Sequence, residues 1–153
     1  MNPDVRALHG SVRVPGLDEP GDTIHFRVFH PAAPTGSDRE RLTGELPADT
    51  SAAPWPVVLV LPGVNIGPEG YRWLAEDLAR LGCAVVTYAL VGEIMPGSVG
   101  ITPGVDLDAC RAGTHGTRPT CLALAPLLEA LGRIDAHGRL AGLLDLDRVV
   151  LLG

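Results

Sequence analysis

The chain has 153 residues, 46% of them hydrophobic and 20% charged, which suits one folded domain with a real core and excludes a disordered chain. All twelve basic residues are arginines spread along the sequence, and the net charge is -6, so the basic footprint of a nucleic-acid binder is missing. No window holds the ~18 consecutive apolar residues of a membrane span, and the first sixteen residues lack a signal-peptide pattern. Together with three cysteines, an odd number that suits free thiols, this predicts a soluble, cytoplasmic protein with no membrane partner.

In chain order, residues 11–14 and 23–29 are predicted to pair as an antiparallel hairpin, because Ile24, Phe26 and Val28 alternate onto one face. His30 and Pro31 are predicted to end it. Residues 31–56, rich in Pro, Thr, Ser and Ala, are predicted to be an exposed connector.

The next unit is the clearest. Residues 57–61 form a continuous apolar strand, and "GPEGYRWLAEDLARLG" predicts a helix with Pro68 near its first position and Gly82 at its end. Tyr71, Leu74, Leu78 and Leu81 are expected to form the inward face of that helix. Residues 83–90 follow as a second buried strand, completing a βαβ unit. Residues 91–118, dense in Gly and Pro, are predicted to be a long loop at the carboxyl edge of the sheet, where α/β proteins bind ligands. A helix over 119–131, kinked at Pro126, is expected to turn Leu124, Leu127, Leu128 and Leu131 inward, and "RVVLL", 148–152, reads as a central strand covered on both faces.

The turn "LPGVNIGPEGY" stands where two chemistries are possible. As N-x-G-x-x-G, from Asn65 to Gly70, it nearly matches a dinucleotide fingerprint. However, the first glycine is missing, Pro68 removes an N–H, and no acidic residue ends the following strand, so no nucleotide cofactor is expected. As an oxyanion loop, Gly63 would permit a sharp turn and the Val64 N–H would be the donor. A plain turn with Gly63, Asn65 and Gly67 at positive φ is the alternative. Cys110, His115 and Cys121 match no zinc spacing, so no metal is expected. Ser98, in "PGSVG", lacks the strand-to-helix context of a nucleophile elbow. The five histidines read as exposed strand or turn residues, with His25 on the solvent side of its strand.

The order of hairpin, "VVLVLPGVNIGPEGYRWLAEDLARLGCAVVTYAL", "GITPGVDLDA", helix and "LDLDRVVLLG" resembles the amino-terminal half of an α/β-hydrolase. It is most similar to the chlorophyllase-like and dienelactone-hydrolase-like serine hydrolases. The resemblance implies a partial α/β-hydrolase sheet and, for the parent family, ester hydrolysis through an acyl-enzyme. Gly63 and Val64 would form the oxyanion loop, residues 91–104 part of the acyl-pocket wall, and Gly153 the first glycine of G-x-S-x-G. The family's serine would then lie two residues beyond Gly153, with the acid and histidine later still. These 153 residues are therefore expected to carry no complete catalytic set and to be inactive alone. The sequence departs from many relatives at Pro62, where they carry His. The resemblance also implies that strand 148–152 lies beside strand 57–61. That leaves an apolar edge for self-association or for a complementing chain. A non-catalytic half-domain and a nucleotide-binding domain are the alternative functions.

Overall fold

The computed structural model describes residues 4–19 and 21–153. Six strands form one mixed sheet: β1 (Asp4–Arg13), β2 (Thr23–Ala32), β3 (Trp55–Val60), β4 (Ala84–Met95), β5 (Ser98–Thr102) and β6 (Leu144–Leu152). The order across the sheet is β1-β2-β4-β3-β6, with β5 paired to the far part of β4. β4, β3 and β6 run parallel, while β1, β2 and β5 pair antiparallel. The helices are α1 (Asp38–Thr43), α2 (Arg72–Arg80) and α3 (Leu124–Ala136). Among the described residues no helix is long and apolar enough to cross a membrane.

The apolar run of β3 is explained by helices on both of its faces. Val57 and Leu59 point into a core with Val86, Tyr88, Leu127 and Leu131, whereas Val58 and Val60 pack with Val85 against Ala75 and Ala79 of α2. A strand sandwiched in this way has no solvent face and needs no polar alternation. α2 buries small residues because it lies close on the sheet. Its inward stripe is Ala75 and Ala79, with Tyr71 and Leu78 at the margin, and Leu81 is 80% exposed, contrary to expectation. Leu81 follows the last helical residue, and Gly82 takes φ 91° to turn the chain, which swings that side chain outward.

The hairpin is longer than predicted at its open end, where Asp4 pairs with Ala32, and one residue shorter at its turn, where β1 stops at Arg13. β1 begins at Asp4, and Gly10 lies under the ring of Phe26, where a Cβ would stand 2.5 Å from Cζ. β2 runs through His30 and Pro31 to Ala32, because β4 stops pairing with it at Phe29, so the missing N–H of Pro31 interrupts no ladder on that side. The 31–56 segment is likewise more ordered than a bare connector. It holds α1, capped by the Ser37 side chain, and it ends in Trp55, which is fully buried and opens β3.

His30 is also not a turn residue. It is buried in β2 and stacks on Trp55, with ring centroids 5.9 Å apart. Its Nδ1 lies 2.9 Å from the Pro31 carbonyl, which can only accept, so Nδ1 carries the proton. Burial, helped by the charge of Arg6, pushes the His30 pKa below its ordinary value, with the Pro31 hydrogen bond opposing. The folded state thus resists a proton that the unfolded state takes up near pH 6.5. Stability attributable to this group is full above that pH and is lost as the pH falls through the window below it. Urea unfolding at pH 7.5 and 5.5 is expected to show a loss that His30→Phe reduces; an equal loss in both proteins would assign the pH effect elsewhere.

Residues 91–118 are not one loop. β4 continues to Met95, turns at Gly97 with φ 76°, and returns as β5, so the segment up to Thr102 is a hairpin. The remainder is irregular but tied down: Asp106 N–H donates to the Thr120 carbonyl at 2.8 Å and Leu122 N–H to the Gly104 carbonyl at 2.7 Å. Those bonds hold residues 119–123 out of the predicted helix, and α3 starts at Leu124. Pro126 then falls in its first turn, where an N–H would have no helical acceptor, and the helix runs on unbroken to Ala136. Leu127 and Leu131 are buried as expected, while Leu128 is exposed.

β6 is an edge strand, not a central one. It begins at Leu144, bulges opposite Pro56 and Val57, and then pairs Val149 to Leu152 with Val57 to Val60. Val149 packs on the core, but Val150 is 55% exposed and Leu151 52% exposed, since nothing among the described residues lies beyond them.

Candidate functional site

The carboxyl ends of the parallel strands converge on the turn that leaves β3. Leu61 N–H donates to the Leu152 carbonyl at 2.7 Å, extending the β3–β6 ladder by one residue. Gly153 follows beside it, close enough that a Cβ there would stand 3.4 Å from Leu61 Cβ. Pro62 is buried, and the chain then rises through the half-buried Gly63 into the exposed Val64 and Asn65.

Two clamps shape this turn. Gly63 N–H donates to the Tyr71 hydroxyl at 2.7 Å, and a Cβ on Gly63 would meet Ile66 Cδ1 at 3.0 Å and that hydroxyl at 3.3 Å. Close approach therefore explains the glycine, and the plain-turn expectation of positive φ fails at Gly63 and at Gly67, whose φ is -69°. Asn65 alone is left-handed, at φ 59°. Its N–H donates to the Ile101 carbonyl at 2.8 Å and its Oδ1 accepts from Ile101 N–H at 3.2 Å, so one residue acts as an extra rung on β5. The turn is thus fastened at one side to α2's leading 3₁₀ turn and at the other to the β4–β5 hairpin.

Between the clamps the Val64 N–H has no acceptor among the described residues, and Val64 is 58% exposed. That N–H is left to solvent or to an acceptor brought to the turn. Replacing Tyr71 by phenylalanine removes the acceptor of Gly63 and is expected to cost about 1 kcal/mol in chemical denaturation. A change within error would mean that the hydroxyl does not hold the turn.

The same geometry disfavours a dinucleotide. Asn65 occupies the position of the first fingerprint glycine with its side chain tied to β5, and the following helix opens as a 3₁₀ turn at Pro68. Ser98 begins an edge strand and leads to no helix. His9 and His25 are exposed strand residues, and His115 and His137 are exposed outside the strands. Cys121 donates to the Pro103 carbonyl at 3.1 Å beside Tyr88, which bonds the same carbonyl at 2.7 Å; Cys110 is exposed. Among the described residues no three His, Cys, Asp or Glu side chains converge as metal ligands would.

Sequence reasoning picked out Gly63 and Val64 but missed Tyr71, Asn65 and Ile101 as the clamps of their turn. Two clefts, of about 460 and 440 Å³, open elsewhere on the molecule. Comparison with protein-family models, curated proteins and solved structures gives no match.

Proposed function

We propose that this chain is the scaffold of an α/β-hydrolase-like serine hydrolase acting on carboxylic esters, with the Val64 N–H as an oxyanion-hole donor. The observation that carries the reading is the junction of β6 with β3. The strand that would lead into a nucleophile elbow ends next to the turn that would stabilise the oxyanion, and that turn presents one unbonded N–H.

In this reading a serine beyond Gly153 attacks the ester carbonyl. The developing negative charge on the carbonyl oxygen is met by the Val64 N–H. The Tyr71 and Ile101 clamps hold that donor in place before reaction, so no reorganisation is needed as charge develops. One such donor is worth about 10²–10³ in rate. The acid and the histidine come from outside these residues, so the chain alone performs no acyl transfer. Three free cysteines favour a reducing, cytoplasmic setting.

The test is covalent labelling of the natural gene product with a fluorophosphonate. One labelled serine outside residues 1–153 is expected; an unlabelled, folded product would overturn the reading. The exposed edge at Val150 and Leu151 favours a second reading, a non-catalytic half-domain completed by another chain. Its mark would be a monodisperse complex with that chain and no labelling.

A further inference from the structure

At the opposite end of the sheet, the 460 Å³ cleft lies between the β1–β2 hairpin, the segment after β2 and the turn after α3, within the usual range for small-molecule sites. Arg6, Arg39 and Arg139 line it, although the whole chain carries a net charge of -6. Arg39 and Arg139 both pair with Glu45, at 2.8 and 2.5 Å. The nearby Glu40 carboxylate is occupied by Thr35 N–H at 2.7 Å and Gly36 N–H at 2.9 Å. Arg6 has no carboxylate partner among the described residues, and its guanidinium bonds only the Val5 carbonyl, at 2.9 Å. Arg6 acts on Glu40 only through its field, with no ion-pair contact, and Glu45 and Glu40 set against Arg6, Arg39 and Arg139 leave one net positive charge at the cleft.

The second feature is the acceptor beside it. Arg6 and His30 are directly opposite each other in the β1–β2 register, so their side chains leave the same face with Cβ atoms roughly 5 Å apart. His30 lines the cleft and is only 7% exposed. With the proton on Nδ1 and the ring kept neutral by burial, Nε2 is a bare acceptor, and it has no hydrogen-bond partner among the described residues. The apolar part of the lining comes from Leu8, Leu46 and Leu140.

We propose that this cleft binds a short hydroxycarboxylate, its carboxylate on Arg6 and its hydroxyl donating to His30 Nε2. A monoanion matches the one net positive charge, and Arg6 is the arginine there with no carboxylate in contact among the described residues. A neutral diol would leave Arg6 unused, and a simple carboxylate would leave Nε2 unpaired. The site stands apart from the Val64 turn: β2 pairs its Phe29 with Val85, at the amino end of β4, whereas the turn lies beyond the carboxyl end of β3.

The test uses the full chain with Trp73→Phe, an exposed position, so that Trp55 is the only tryptophan and reports through its stack on His30. 3-Hydroxybutyrate is titrated in phosphate-free buffer, with butyrate and 1,3-butanediol as controls. Saturable quenching or enhancement by 3-hydroxybutyrate is expected, with both controls and both Arg6→Gln and His30→Phe at least about ten-fold weaker. His30→Phe keeps an aromatic ring on Trp55, and Arg6 is an exposed strand position whose replacement leaves the core alone. No saturation by about 10 mM, equal binding of butyrate or the diol, or unchanged binding by Arg6→Gln would each overturn the proposal.

Discussion

Replacing Trp55 by alanine is expected to cost about 3–5 kcal/mol, the largest effect of any single change to this fold. Trp55 is the biggest side chain with no exposure, and it joins three parts of the molecule at once. Its ring carries His30 of β2 and belongs to the main core cluster with Leu140 and Leu144, while the backbone bond from its N–H to the Leu143 carbonyl, 2.9 Å, survives the substitution. A domain of this size has only about 5–15 kcal/mol of total stability, so the variant should lose much of its cooperative unfolding transition at room temperature. Trp55→Phe is expected to be much milder. The indole Nε1 is buried without a hydrogen-bond partner among the described residues, and removing an unbonded buried donor removes its desolvation cost, which offsets part of the packing lost. Urea unfolding followed by circular dichroism separates the cases; equal damage from both variants would show that the indole's shape, and not its bulk, is what the core requires.

The second large effect is expected at Gly100. A Cβ there would stand 2.1 Å from Asn65 Oδ1 and 3.3 Å from Ile94 Cδ1, so Gly100→Ala forces the Asn65 side chain off the Ile101 N–H. Asn65 has a short side chain and is already held at φ 59°, which leaves it little room to yield. A destabilisation of about 1–3 kcal/mol is expected, together with faster amide exchange at Asn65 and Ile101, whose N–H groups make the clamp. Exchange is the sharper readout, because loosening of the turn is local. Protection at Asn65 equal to that of the parent would mean that the clamp does not depend on the β5 contact.

The parts of the fold that were legible in the sequence are those whose signal is local. Residues 57–60 had to be a doubly covered strand because no polar residue interrupts them, and the helix after Pro68 follows from its caps and its charged outer face. The carboxyl edge and the Gly63–Val64 turn could be located for the same reason. What was not legible depends on residues distant in sequence. Asn65 and Ile101 meet across 36 positions, and neither looks like half of a clamp until β5 folds back along β4. Strand β5, "SVGIT", is short, half-exposed and interrupted by glycine, so composition points to a loop. Pro31 suggested a strand end, but the neighbouring ladder had already stopped. Trp55 looked like part of a Pro-rich connector because its burial comes from His30 and the segment before β6. Arg6 and His30 become neighbours only through the register of the first hairpin.

The most direct measurement is the reading frame of the coding DNA immediately past Gly153. If β6 leads into a nucleophile elbow beside the Val64 turn, the second codon beyond Gly153 encodes serine and the fourth encodes glycine, with an acidic residue and then a histidine further downstream. A stop codon directly after Gly153, or a continuation without that serine, would contradict the hydrolase reading and leave the turn as a structural feature of an α/β scaffold.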